Sequence, residues 1–146
     1  MSKAYIDAVR LLARREHGAD EIAQKLAKKK HPKREIDDAI AECQRLGLQS
    51  DERFVENLCR VRISQGYGPM RIRQDLQRLN IELELINMRL SEEQDHWVSY
   101  ARDVWVKKYS AKIEPSFAEI QKQKQFLLYR GFSMDIIQSV FRDINT

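Results

Sequence analysis

Residues that break helices are scarce in this chain, with five glycines and three prolines among 146 residues. Alternating apolar and polar stretches, the mark of half-buried strands, are nearly absent as well. Together these absences exclude a sheet-rich fold and lean the chain toward helix. There are two cysteines, Cys43 and Cys59, and neither belongs to a C-x-x-C pair or has a histidine beside it. That excludes a disulfide framework and a zinc ribbon, and buried thiols are expected. The three histidines, His17, His31 and His96, share no metal-ligand spacing. No H-E-x-x-H, phosphate loop or paired-carboxylate constellation occurs, so the sequence displays no enzyme chemistry and asks for no cofactor and no metal. No run of apolar residues is long enough to span a bilayer, and no cationic stretch followed by an apolar run opens the sequence. A cytoplasmic protein is the expectation.

What the chain does have is charge. Hydrophobic residues make up 42% and charged residues 33%, which suits a folded protein with a polar surface. The net charge of +4 is unevenly spread. Residues 1–50 hold 11 basic against 8 acidic side chains, 51–90 hold 7 against 6, and 91–146 hold 8 against 8. This balance fits an acidic partner or a phosphate backbone, and does not support a strongly cationic scaffold.

The apolar residues fall at helical spacing throughout. Tyr5, Ala8, Val9, Leu12 and Ala13 mark a helix stopped at His17-Gly18. Ile22, Ala23 and Leu26 mark a second, which gives way at His31-Pro32. Pro32 suits the first turn of a third, with Ile36, Ala39, Ile40, Cys43 and Leu46 as its apolar stripe and Gly47 as its stop. A fourth helix carries Phe54, Val55, Leu58, Cys59, Val61 and Ile63 and ends at Gly66. A fifth starts at Pro69 with Ile72, Leu76 and Leu79, Asn80 turns it, and a sixth carries Leu85, Ile86 and Leu90. The positions Ile22, Leu26, Ile36 and Ile40 recur 50 residues on as Ile72, Leu76, Ile86 and Leu90, behind a matching glycine turn. That is an internal repeat.

A looser third unit follows. Trp97, Tyr100, Ala101, Val104, Trp105 and Tyr109 share one helix face; Pro115 starts another helix through Phe117, Ile120, Leu127 and Leu128. Gly131 turns it, and Ser133 caps a last helix with Ile136, Ile137, Val140 and Phe141. The predicted fold is all-α, with three tandem three-helix repeats at 1–49, 50–92 and 93–146 in an elongated, curved array.

Residues 46–81, LGLQSDERFVENLCRVRISQGYGPMRIRQDLQRLNI, hold many specified positions close together. Leu46-Gly47, Asp51, Arg53-Phe54, Arg60-x-Arg62, Gly66, Gly68-Pro69 and Arg71-Ile72-Arg73 resemble the middle repeat of the RecX family, bacterial regulators of the RecA recombinase. The first repeat resembles that pattern more loosely and the third weakly. Asn80 stands where the family commonly has glycine, and it tolerates the same left-handed turn. The resemblance implies a monomer that is not an enzyme. It implies binding to the RecA filament on single-stranded DNA, in its groove, with loss of strand exchange, ATP hydrolysis and coprotease output. A stand-alone helical module that binds DNA directly is the alternative.

Two basic groups are the candidate partner- or phosphate-binding residues. In the first, Arg60 and Arg62 precede the SQGYGPM turn and Arg71 and Arg73 follow it. Residues two apart on a helix point to different surroundings, so one arginine from each pair can converge on an oxygen-rich target. The start of the fifth helix adds free N–H groups near Met70 to Ile72 that favour anions. The same arginines can equally pair with Glu52, Glu56 or Asp75 inside the protein. Tyr67, between two glycines, either stacks on a base or packs under the turn. The second group is Lys28, Lys29, Lys30, Lys33 and Arg34, either a solvated helix end or a phosphate contact.

Overall fold

The structure of the chain, a computed structural model, describes residues 2–109 and 115–144. Among the described residues there are nine helices and no strands. They are α1 (Lys3–Arg14), α2 (Ala19–Lys28), α3 (Lys33–Arg45), α4 (Asp51–Ser64), α5 (Pro69–Arg78), α6 (Leu83–Ser91), α7 (Trp97–Tyr109), α8 (Phe117–Tyr129) and α9 (Met134–Ile144). In sequence they form three sets of three. In contact they form two compact units, one of residues 1–58 and 76–86, the other of residues 59–75 and 87–146. The middle set therefore contributes to both cores.

In the first unit α1 packs mainly on α3. Ala4 and Ala8 let the two helices approach, and Ile22, Leu26, Ile36, Ala39 and Cys43 fill the space around them. Full burial of one such leucine or isoleucine stabilises by about 1.5–3 kcal/mol, and Leu26 has no exposed surface. Ser2 caps α1 through the Tyr5 amide at 3.1 Å. Pro32 lies just outside α3 as its N-cap, one position ahead of the expected first turn. In the second unit α7 packs mainly on α9, around Trp97, Ala101, Leu127, Phe132, Ile137 and Val140.

The repeats share one turn. Leu26, Leu76 and Leu127 are each fully buried near the end of the middle helix of their set. Their carbonyls accept from the amides five residues on, those of His31 (3.3 Å), Ile81 (3.3 Å) and Phe132 (3.2 Å). Closing the helix this way puts the intervening residue in the left-handed region. Lys30 has φ +65°, Asn80 +55° and Gly131 +99°. Asn80 keeps the turn as expected of asparagine, and Lys30 does the same without that advantage.

Some expected core positions face water. Leu46 at the end of α3 is 47% exposed, and Val61, Phe117 and Leu128 are also exposed. Each lies in or next to the first or last turn of its helix. The third set departs in chemistry as well. Gln123 stands where the first two sets have Ile22 and Ile72; it is buried, and its side-chain carbonyl accepts the Trp105 indole N–H at 2.8 Å. Trp105 also meets Phe141 edge-on at 6.1 Å. Both tryptophans thus serve packing.

Candidate partner-binding surface

The SQGYGPMRIR turn is a close backbone contact within the second unit. The Gly68 N–H donates to the Arg130 carbonyl and the Met70 N–H to the Gly131 carbonyl, both at 2.9 Å. A Cβ on Gly68 would sit 2.5 Å from the Gly131 oxygen, and one on Gly131 would sit 2.5 Å from the Arg71 Cβ. The Met70 amide, expected to attract an anion, is therefore already taken by a carbonyl. Gly66, at φ +87°, ends α4 as expected.

One arginine from each pair does converge on an oxygen-rich target, and that target is internal. Arg62 Nε donates to Asp75 Oδ2 at 2.9 Å, and Arg71 Nε to Asp75 Oδ1 at 3.2 Å. Arg62 also donates to the Gln65 side chain. Tyr67 packs under the turn: the Arg71 guanidinium lies 4.7 Å from its ring centroid and that of Arg130 5.1 Å. Half-buried Arg73 donates to the Asn87 side chain. Arg60 alone of the four is exposed and has no ion pair with a described residue. Arg130, which sequence reasoning passed over, is the residue that ties this turn together; its signal was a basic side chain next to a turn glycine.

The second basic group lies in the first unit. Lys29 Nζ is 3.9 Å from Asp7 and Lys33 Nζ 3.1 Å from Asp37, with both lysines well exposed. Exposed pairs of this kind are weak and leave the charge accessible. Lys28, Lys30 and Arg34 are exposed and have no ion pair among the described residues. The stronger partner of Asp7 is His31, whose Nε2 lies 2.7 Å from Oδ2. That hydrogen bond, opposed by desolvation and aided by Lys29, holds the Asp7 carboxyl below its ordinary range.

The other motif positions are structural. Asp51 Oδ1 accepts from the Ala19 amide and the buried Gln49 side chain, each at 2.9 Å. Arg53 joins Glu16 at 2.9 Å and donates to the Gly47 carbonyl at 2.8 Å. Phe54 is buried. Cys43 and Cys59 are buried cysteines, and burial pushes the Cys43 thiol up. No group of acidic, cysteine or histidine side chains able to hold a metal occurs among the described residues. No helix among them is long and apolar enough to cross a membrane.

These observations define the class, an all-helical protein of three-helix repeats with exposed basic side chains. Comparison with known proteins narrows the class. Family models described as the first, second and third three-helix domains of RecX match residues 4–43, 50–88 and 97–141. "Regulatory protein RecX" of Legionella pneumophila is 50% identical over 146 residues, covering 100% of this chain and 97% of the relative. That of Pseudomonas fluorescens strain SBW25 is 37% identical over 130 residues, covering 89% and 84%. The crystal structure of RecX from Lactobacillus salivarius shares the fold at 22% identity, with a TM-score of 0.78 over 98% of this chain and 95% of that one. The chain belongs to the RecX family, a family of regulatory proteins rather than enzymes.

Proposed function

We propose that this protein restrains the RecA recombinase by binding the RecA filament on single-stranded DNA, in its groove. Bound there, it obstructs incoming duplex DNA, biases the filament toward disassembly, and lowers strand exchange, ATP hydrolysis and coprotease output. The observation that carries the site assignment is the division among the basic residues. Arg62 and Arg71 share Asp75, while Lys28, Lys30, Arg34 and Arg60 face solvent without an ion pair to a described residue. Several separate cations of this kind make modest contacts that act together on a negatively charged partner and weaken with salt. The reading as a stand-alone duplex reader is less favoured, because Arg71 and Arg73 at the start of α5 are held by Asp75 and Asn87.

The test is RecA strand exchange and single-strand-dependent ATP hydrolysis, titrated with this protein and with Lys28→Ala/Lys30→Ala/Arg34→Ala/Arg60→Ala. The wild type should inhibit both reactions, the quadruple variant much less, and added salt should narrow the difference. Inhibition by the variant equal to the wild type would return these residues to solvation. No inhibition by the wild type at concentrations above RecA would sink the functional reading.

A further inference from the structure

The second unit holds a cleft of about 560 Å³ that none of the basic residues singled out in the sequence lines. Its apolar wall comes from Ile63 at the end of α4, Val104 on α7 and the ring of Phe126 on α8. Gly66 keeps it open, since a Cβ there would lie 3.3 Å from Val104 Cγ2. Lys107, Lys108 and Arg130 also line it, against a single carboxylate among the described residues, Asp103. Lys108 Nζ and Arg130 Cζ each lie 5.4 Å from the Phe126 ring centroid. Arg130 is fixed by donating to the Gln65 carbonyl at 3.1 Å. The two lysines are exposed and have no ion pair with a described residue.

A position in the last turn of a helix accounts for lysines, and Arg130, tied to the turn through Gln65 and Tyr67, is thereby held beside an aromatic ring over an apolar wall. The volume falls in the range of small-molecule sites, about 300–1,000 Å³, and exceeds what a lone phosphate needs. A ligand matching the whole lining carries an anionic group for the three cations, a flat apolar body for the wall, and a donor for Asp103 and the Ser64 hydroxyl. An acidic peptide would satisfy the cations while setting its carboxylates against Asp103.

We propose that this cleft binds one nucleotide unit, with its base against Ile63, Val104 and Phe126 and its phosphate at Lys107, Lys108 and Arg130. The same chemistry comes from a free nucleoside monophosphate or from a nucleotide within a single strand. The site is separate from the basic residues assigned to filament binding and does not rest on that assignment.

Equilibrium dialysis of the full chain with labelled AMP tests it, with inorganic phosphate and an oligothymidylate as competitors. A parallel arm measures direct binding of the labelled oligonucleotide. Two variants, checked for intact helicity, separate charge from space: Lys107→Glu/Lys108→Glu, and Ser64→Trp, which fills the mouth from an exposed position on α4. Ligand binding should fall about tenfold or more with charge reversal, as attraction by two cations becomes repulsion, and be lost in Ser64→Trp. If AMP binds and the oligonucleotide does not compete, the ligand is a free nucleotide; if only the oligonucleotide binds and Ser64→Trp abolishes it, the source is the strand. Phosphate displacing AMP as well as AMP itself would overturn the role of the base. Ligand binding unchanged in Ser64→Trp, or no binding of AMP or oligonucleotide to the wild type, would overturn the site.

Discussion

Replacing Gly68 with alanine should destabilise the protein by roughly 3 kcal/mol, although Gly68 has no left-handed backbone to lose. The cause is contact. The new Cβ would lie 2.5 Å from the Gly131 oxygen, 2.6 Å from its carbon and 2.7 Å from Phe132 Cδ1. Two of these are backbone atoms and the third belongs to a fully buried ring, so the turn must back away. Overpacking of this kind costs about 1–3 kcal/mol, and the retreat strains two backbone hydrogen bonds, those of Gly68 and Met70, each contributing about 1 kcal/mol. Gly47→Ala is the comparison. Gly47 has φ +74° and nothing within 4 Å of a new Cβ, so only backbone strain applies, about 1 kcal/mol. Urea unfolding is to be followed by circular dichroism and by tryptophan fluorescence, which reports the second unit because Trp97 and Trp105 both belong to it. Gly131→Ala combines both causes, φ +99° and a 2.5 Å contact, and should exceed either. A Gly68→Ala loss equal to or below that of Gly47→Ala would refute the close-approach reasoning.

Asp75→Asn should cost about 1–2 kcal/mol in the same unfolding assay, less than a fully buried pair, because Arg62 and Arg71 keep 28% and 37% of their side-chain surface. An unchanged urea midpoint would show that those arginines are satisfied by solvent. Gln123→Leu should destabilise by about 1–2 kcal/mol by leaving the Trp105 N–H without its acceptor, and adding Trp105→Phe should return part of that loss, as a double-mutant cycle would measure. Burial pushes the His17 imidazole below its ordinary value of 6.5, with its hydrogen bond to the Arg15 carbonyl opposing. The unfolded chain then takes up the proton first, so stability should decline as pH falls below 6.5. For Asp7 the depressed carboxyl value means stability present above 3.8 and lost as pH falls through the folded value. His31→Asn should move the Asp7 titration, followed by NMR, back toward 3.8.

The fold was legible because its signals are local. Apolar spacing, Gly47, Gly66 and Pro69 each act within a few residues of where they stand and locate the helices, and the recurrence of that local pattern 50 residues on gives their grouping. Leu46, Val61, Phe117 and Leu128 show the limit: periodicity gives a stripe, but only the neighbouring helix decides how far along the stripe is covered. The basic residues were less legible. Arg60 and Arg62 look alike in sequence, yet one faces solvent and the other meets Asp75, 13 residues on and on another helix. Gln123 was missed although it stands in the register of Ile22 and Ile72. Its signal was a polar residue in a buried position, readable only after the third repeat is aligned with the first two. Arg130 gave still less, since its partners Tyr67 and the Gln65 carbonyl come from a turn 65 residues away.

The shared turn after the middle helix of each set carries a consequence for motion. Glycine at Gly131 takes a left-handed backbone at no steric cost, asparagine at Asn80 takes it at little, and lysine at Lys30 takes it only under constraint. The third turn is therefore stable by its own local preference, while the first is held by the burial of Leu26 and Ile36 around it. Loosening that packing would release Lys30 before it released either of the other two. The basic cluster of the first unit thus sits on the one turn of the three that is under tension, and its mobility is tied to the integrity of the core beneath it.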